Sequence, residues 1–271
     1  MGKVTFKVLL GLIAMAPLAS PFAQTDERYD PDRALEISQA AVGGTIGDYE
    51  LIDRDGNTVH LRQDYAGKPL VISMIFTSCH HVCPMTTKHL ANSVRAARDA
   101  LGADSFDVVT IGFDAANDSP DAMRTFAREQ GVDARNWKFL SAPAATIDQI
   151  SDDLGFIFFP TPRGFDHLNQ STVIDRGGSV YRQVYGVTFE LPWLVEPLKE
   201  LVFNRPESVG SIASSLFDRI RLFCTVYDAN SGRYEFDNSL FFTMFAGFTV
   251  ILAVLIYLFR EIHQARRSKR S

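Results

Sequence analysis

The chain has 271 residues, three cysteines and a formal net charge of −5. Three cysteines are too few for a disulfide scaffold, and an acidic balance repels phosphate backbones, so nucleic acid is not an expected partner. The length exceeds one ordinary domain, but both ends are too apolar for a soluble fold, which leaves material for one.

At the N-terminus, Lys3 and Lys7 precede an apolar run from Val8 to Ala19, followed by small residues and Pro21. This reads as a secretory signal over residues 1–23, with cleavage after Ala23. The run is short of the roughly 20 residues that a membrane crossing needs. Near the other end, Leu240 to Phe259 carries no charged residue and is followed by Arg260, Arg266, Arg267, Lys269 and Arg270. Such a pattern predicts a transmembrane helix over 239–259 and a cytoplasmic basic tail over 260–271. The functional part is then expected on the periplasmic side of a bacterial-type inner membrane, or in an equivalent compartment. Between residues 24 and 259 there are 20 basic and 31 acidic groups, a balance of about −11 that attracts cations or a basic protein patch. An odd number of cysteines in an exported chain suits chemistry better than scaffolding.

Residues 24–46 are polar, show no sustained apolar period and end in Gly43 and Gly44, so they read as a leader. The glycine pair opens no helix and therefore lacks the context of a dinucleotide loop. Tyr49–Ile52 and Thr58–Leu61 flank Gly56-Asn57 as a hairpin, and a polar turn follows from Asp64 to Lys68. Leu70 to Phe76 is a continuous apolar run, as in a strand buried on both faces. Pro84 suits a first helical turn, and Met85, Leu90, Val94 and Leu101 give helical spacing to about Ala103. A strand from Phe106 to Phe113 leads to Asp118 or Ser119 as a cap and to Pro120, opening a helix to Gln130. Trp137–Leu140 reads as a strand and Thr146–Leu154 as a helix. Thr172–Asp175 and Val180–Val184 form a hairpin turning on Gly177-Gly178, and Pro192–Phe203 is an amphipathic helix. This order specifies an α/β sandwich. In residues 204–238, Pro206 to Phe223 has helical spacing and Cys224 to Asp237 is polar and turn-rich, together a membrane-proximal neck.

The strongest local signal is Thr77-Ser78-Cys79-His80-His81-Val82-Cys83-Pro84, at a strand-to-helix junction. Two thiols four residues apart can form a disulfide or chelate one metal ion, and amides at a helix start favour the thiolate. This turn, the segment IleGlyPheAspAlaAlaAsnAspSerPro from Ile111, and PheAspHis from Phe165 with its following strand and Gly-Gly turn resemble the Sco/SenC family. The resemblance covers about residues 45–203, and gives a domain over 47–203. It implies a thioredoxin-like fold, binding of Cu(I) or Cu(II), and a role in assembling copper centres of respiratory oxidases. Carried over residue by residue, the implied ligands are Cys79, Cys83 and His167.

The chemistry agrees with that implication, because soft thiolates select Cu(I) and an added imidazole allows Cu(II). A closed zinc site would want four protein ligands, which two neighbouring cysteines do not supply. His80 and His81 read as solvated loop residues or auxiliary ligands, and Asp114 and Asp166 as acids near the site. Cys224, His60, His89 and His263 lack motif context, the histidines reading as surface residues. The expected function is a membrane-anchored copper metallochaperone whose partner is an oxidase copper-site subunit or another copper chaperone. The alternative is a thiol-disulfide oxidoreductase in which Cys79 and Cys83 act as the catalytic redox pair on oxidase cysteines. A transmembrane sensor is disfavoured by a tail too short to fold, and a peroxidase by the lack of a peroxidatic threonine context.

Overall fold

The computed structural model describes residues 29–203, 225–228 and 233–236, with residues 245, 247–249, 251, 252 and 254. The elements in chain order are α1 (Pro31–Ala40), β1 (Glu50–Asp53), β2 (Thr58–His60), β3 (Leu70–Ile75), α2 (Val82–Leu101) and β4 (Asp107–Gly112). They continue with α3 (Pro120–Glu129), β5 (Trp137–Ser141), α4 (Ala144–Leu154), β6 (Phe158–Thr161), β7 (Gly164–His167), β8 (Gln170–Ile174), β9 (Val180–Tyr185) and α5 (Leu191–Phe203).

Seven strands form one sheet in the order β2-β1-β5-β4-β3-β8-β9. The three central strands β5, β4 and β3 are parallel, and the flanking pairings are antiparallel. All six residues of β3 are buried, which accounts for its unbroken apolar run. Trp137 on β5 donates its indole N–H to Thr110 Oγ1 on β4 at 2.9 Å, so this buried polar pair is satisfied. α2 and α5 pack against each other, and α3 against β5. The carboxyl ends of β3 and β4 release the Cys79 turn and the Phe113–Asp118 loop side by side, the end of a parallel sheet where sites form.

The expected elements of the domain are present, with shifts at their ends. The leader reading is corrected, because residues 31–40 form α1. Asp30 Oδ1 accepts the N–H groups of Asp32 and Arg33 at 3.0 and 3.4 Å, and Pro31 occupies the first helical turn. Only Ala34 and Ser38 of α1 are buried, so no apolar period could announce the helix. It is nevertheless part of the domain. Ser38 Oγ lies 3.0 Å from Tyr185 OH, and a Cβ on Gly155 would stand 2.6 Å from the Ile37 carbonyl oxygen.

A second difference is the hairpin of β6 and β7, a separate two-stranded sheet that puts His167 on a strand and pairs it with Phe158. Pro160 and Pro162 leave no alternating run there from which a strand could be read. Within the expected neck, β10 (Thr225–Asp228) and β11 (Arg233–Phe236) pair antiparallel in the stretch read as polar and turn-rich. Residues 1–23, 204–224 and 255–271 lie outside the described residues, and with them the signal, Cys224, His263 and the basic tail. Of the expected span, Phe245, Phe248, Ile251, Leu252 and Val254 are helical and exposed. Among the described residues no helix is long and apolar enough to cross a membrane.

Candidate metal centre

The chain leaves β3 through Phe76, whose carbonyl accepts the Cys79 N–H at 3.2 Å, and enters α2 at Val82. The N-cap residue His81 provides no side-chain cap. Instead the Cys79 sulfur accepts the Cys83 N–H at 3.4 Å, occupying the place where a helix start offers unpaired donors. This explains why α2 begins two residues before Pro84.

The two thiols consequently differ. Burial pushes the Cys79 thiol up, but the amides of Cys83, His81 and Val82 outweigh it and hold Cys79 below the ordinary thiol value. Cys83 is 2 % exposed, and burial pushes its thiol far up, with the neighbouring Cys79 and Asp118 charges adding to the effect. Of the two thiols, Cys79 is therefore the one that ionises first. Brief treatment of the reduced protein with iodoacetamide at pH 7 should label Cys79 at least about tenfold faster than Cys83, since each unit of pKa is a tenfold change in thiolate. Peptide mass spectrometry reads this, and equal labelling would contradict it.

His167 ends β7. Its Nδ1 lies 3.0 Å from the Leu168 carbonyl oxygen, which can only accept, so the proton sits on Nδ1 and the Nε2 lone pair is free. Phe76, Phe113 and Phe156 surround the imidazole with ring centroids 6.1, 5.3 and 5.4 Å away. That burial holds its pKa below the ordinary histidine value, with the Leu168 carbonyl and Asp166 opposing, and keeps the ring in the neutral form that binds metals. Phe76 links the two parts of the site, since its carbonyl holds the Cys79 turn and its ring meets His167 edge-on.

Among the described residues, no three His, Cys, Asp or Glu side chains stand close enough to hold one metal ion. Cys79 and Cys83 are adjacent. A shared site would need His167 and the two sulfurs closer together than they stand here.

His80 and His81 are exposed, as is Asp166, while Asp114 accepts a hydrogen bond from the Asn117 amide at 2.7 Å. The surface reading of His89 is corrected: its Nε2 meets the Phe189 backbone, tying α2 to the segment before α5. Asp118, expected as a possible cap, turns inward instead. It is 2 % exposed and accepts the Thr77 N–H and hydroxyl at 2.8 and 2.7 Å and the Asp114 N–H at 2.9 Å. Burial pushes its carboxyl up, and the donors of Thr77 and Asp114 pull it back. Ser119 is the cap of α3.

The family model SCO1/SenC matches residues 38–200. The chain belongs to the SCO1/SenC family. A SCO1 protein homolog of Bacillus subtilis (strain 168) is 27% identical over 141 residues, 50% of this chain and 70% of that protein. Among solved structures, a putative electron transfer protein from Aquifex aeolicus VF5 aligns with a TM-score of 0.55 at 28% identity, covering 63% of this chain and 99% of that one. Arabidopsis thaliana ScoI, solved with copper bound, aligns at 0.52 and 18% identity over 60% of this chain and all of that one, a likeness of fold. SCO1/SenC membership thus accounts for the thioredoxin-like sheet, and its match begins within α1, in agreement with the packing of that helix on the domain.

Proposed function

We propose that this protein is a copper metallochaperone serving a respiratory oxidase, with Cys79, Cys83 and His167 as the copper ligands. The single observation that carries the reading is geometric: the Cys79 sulfur accepts the Cys83 N–H at 3.4 Å, and Phe76, whose carbonyl holds the Cys79 turn, meets the His167 ring edge-on. Thiolates are soft ligands that select Cu(I), and the free Nε2 adds a ligand that also suits Cu(II). Binding would draw the β6–β7 hairpin toward the cysteine turn. Reopening it would leave copper on two sulfurs, one of them at the surface, where a partner's ligands can displace them in turn. The SCO1/SenC family assignment supports this reading, and so does the copper bound to the Arabidopsis relative.

Cells lacking the protein are expected to lose assembled, copper-loaded oxidase at low copper, measured as oxidase activity per enzyme subunit. The parent gene should restore it, and unchanged activity in its absence would contradict the role.

The contrast between Cys79 and Cys83 favours one second reading. A dithiol reductase needs an exposed thiolate to attack a target disulfide and a second thiol to resolve the mixed disulfide, reducing the target while Cys79 and Cys83 become oxidised. The site residues are shared, so the two activities must be separated by substitution.

The proposal includes the anchoring expected from Leu240 to Phe259, which would hold the domain in the periplasm beside a membrane-embedded acceptor. A reporter that works only in the cytoplasm should be active when fused after Ser271. Activity solely from a periplasmic reporter there would reverse the orientation.

A further inference from the structure

Burying a carboxylate is unfavourable unless its hydrogen bonds are made, and Asp118 is buried beside the cysteine turn for no reason that α3 requires. The helix is already capped, because Ser119 Oγ accepts the Ala122 N–H at 3.3 Å. The Asp118 carboxylate reaches away from the helix: Oδ1 takes both donors of Thr77, and Oδ2 takes the Asp114 N–H. Thr77 is the second residue after β3 and stands two before Cys79. One side chain therefore joins the departing end of β3 to the loop after β4.

Gly112 gives independent support for this placement. Its φ lies outside the left-handed region, so its backbone does not call for glycine. Space does. A Cβ there would stand 2.5 Å from Asp118 Cβ, 2.9 Å from its Cγ and 2.9 Å from Met123 Sδ. The end of β4 is kept bare so that the Asp118 side chain can pass.

We propose that Asp118 is a positioning residue for the copper site, its buried carboxylate fixing the turn that presents the Cys79 sulfur and locking that turn to the β4–α3 loop. With both donors of Thr77 held, Ser78 and Cys79 leave the sheet in one direction, and the sulfur arrives under the Cys83 N–H. Without the clamp the turn is free to rotate, and the ligand pair loses its set geometry. The inference rests on the copper reading for its functional consequence, but the placement of Cys79 can be measured without metal.

The test uses the full chain in detergent, as parent, Asp118→Asn, Thr77→Val and Gly112→Ala, with Ile150→Val as a core control of unrelated position. Copper affinity by competition, the Cu(II) electron paramagnetic resonance spectrum, and the alkylation rate of Cys79 in metal-free protein are read together with thermal melting. Loss of an outer-shell partner typically weakens metal binding about 10- to 100-fold, and that is the fall expected for Asp118→Asn. Thr77→Val and Gly112→Ala should move the affinity the same way, shift the Cu(II) spectrum and slow Cys79 alkylation, whereas Ile150→Val should lower the melting temperature and change none of these. Parental affinity, spectrum and alkylation rate in Asp118→Asn and Thr77→Val would overturn the proposal. Losses that merely track melting temperature, the control included, would overturn it too. If Asp118→Asn does not fold, Thr77→Val decides, since it removes only a hydroxyl donor. If the parent binds no copper, the function proposed above fails, and the alkylation rates alone decide whether Asp118 positions Cys79.

Discussion

Replacing Cys79 or Cys83 by serine is expected to abolish stoichiometric copper binding by the full chain, measured as copper per protein after gel filtration. The parent should retain one copper per chain. Serine keeps the shape of the side chain but replaces a soft thiolate with a hydroxyl that neither ionises at neutral pH nor matches Cu(I). The loss should exceed the about 100-fold typical of removing an outer-shell partner, since a ligand itself is removed. The two substitutions should differ in stability. Cys79 is partly exposed, so Cys79→Ser costs little, whereas Cys83 is 2 % exposed and a hydroxyl there would be buried. An unsatisfied buried hydroxyl costs about 1–3 kcal/mol, so Cys83→Ser should show a lower denaturation midpoint and Cys83→Ala should be the cleaner control. Unchanged stoichiometry in Cys79→Ser would remove the thiolate from the account.

His167→Ala is expected to separate copper handling from thiol chemistry. The imidazole is needed as third ligand, but the Cys79–Cys83 pair can oxidise and be reduced without it. The variant should lose most Cu(II) affinity, weaken Cu(I) less because both sulfurs remain, and keep the parent's thiol titration. Deleting the ring also removes contacts with Phe76, Phe113 and Phe156, each aromatic pair being worth about 0.5–1.5 kcal/mol, so some loss of stability should accompany it. His167→Phe retains an aromatic ring without the lone pair and should bind as poorly while melting closer to the parent. If oxidase assembly at low copper fails in both, delivery of the metal is the role. If assembly persists in both and is lost in Cys79→Ser, reduction of oxidase cysteines is the role instead.

How far the sequence was legible depended on how local each signal is. The run of β3 and the C-x3-C turn with Pro84 are written in adjacent residues, and strand, turn and helix could be read directly. The capping role of the Cys79 sulfur was not readable, because it depends on where the Cys83 N–H points, and it moved the start of α2 to Val82. α1 escaped because it buries two small residues and so has no apolar stripe, although Asp30-Pro31 is a capping signature that could have disclosed it. The β6–β7 hairpin was hidden by its prolines, yet Pro160 sits in a two-stranded sheet where few ladder bonds are at stake. Asp118 was one of two candidate caps, with Ser119, because an acid before Ser-Pro fits that pattern. Its turn toward Thr77 is a long-range contact that only the closeness of β3 and β4 creates, with the bare Gly112 as its one local trace.

The central claim, that Cys79, Cys83 and His167 hold one copper ion together, is tested most directly by X-ray absorption at the copper edge on the Cu(I)-loaded full chain and its His167→Ala variant. The account predicts two sulfur scatterers and one imidazole nitrogen in the parent, with the two sulfurs kept and the imidazole signal gone in His167→Ala. An imidazole signal that survives His167→Ala, or a parent spectrum without two sulfurs, would contradict it.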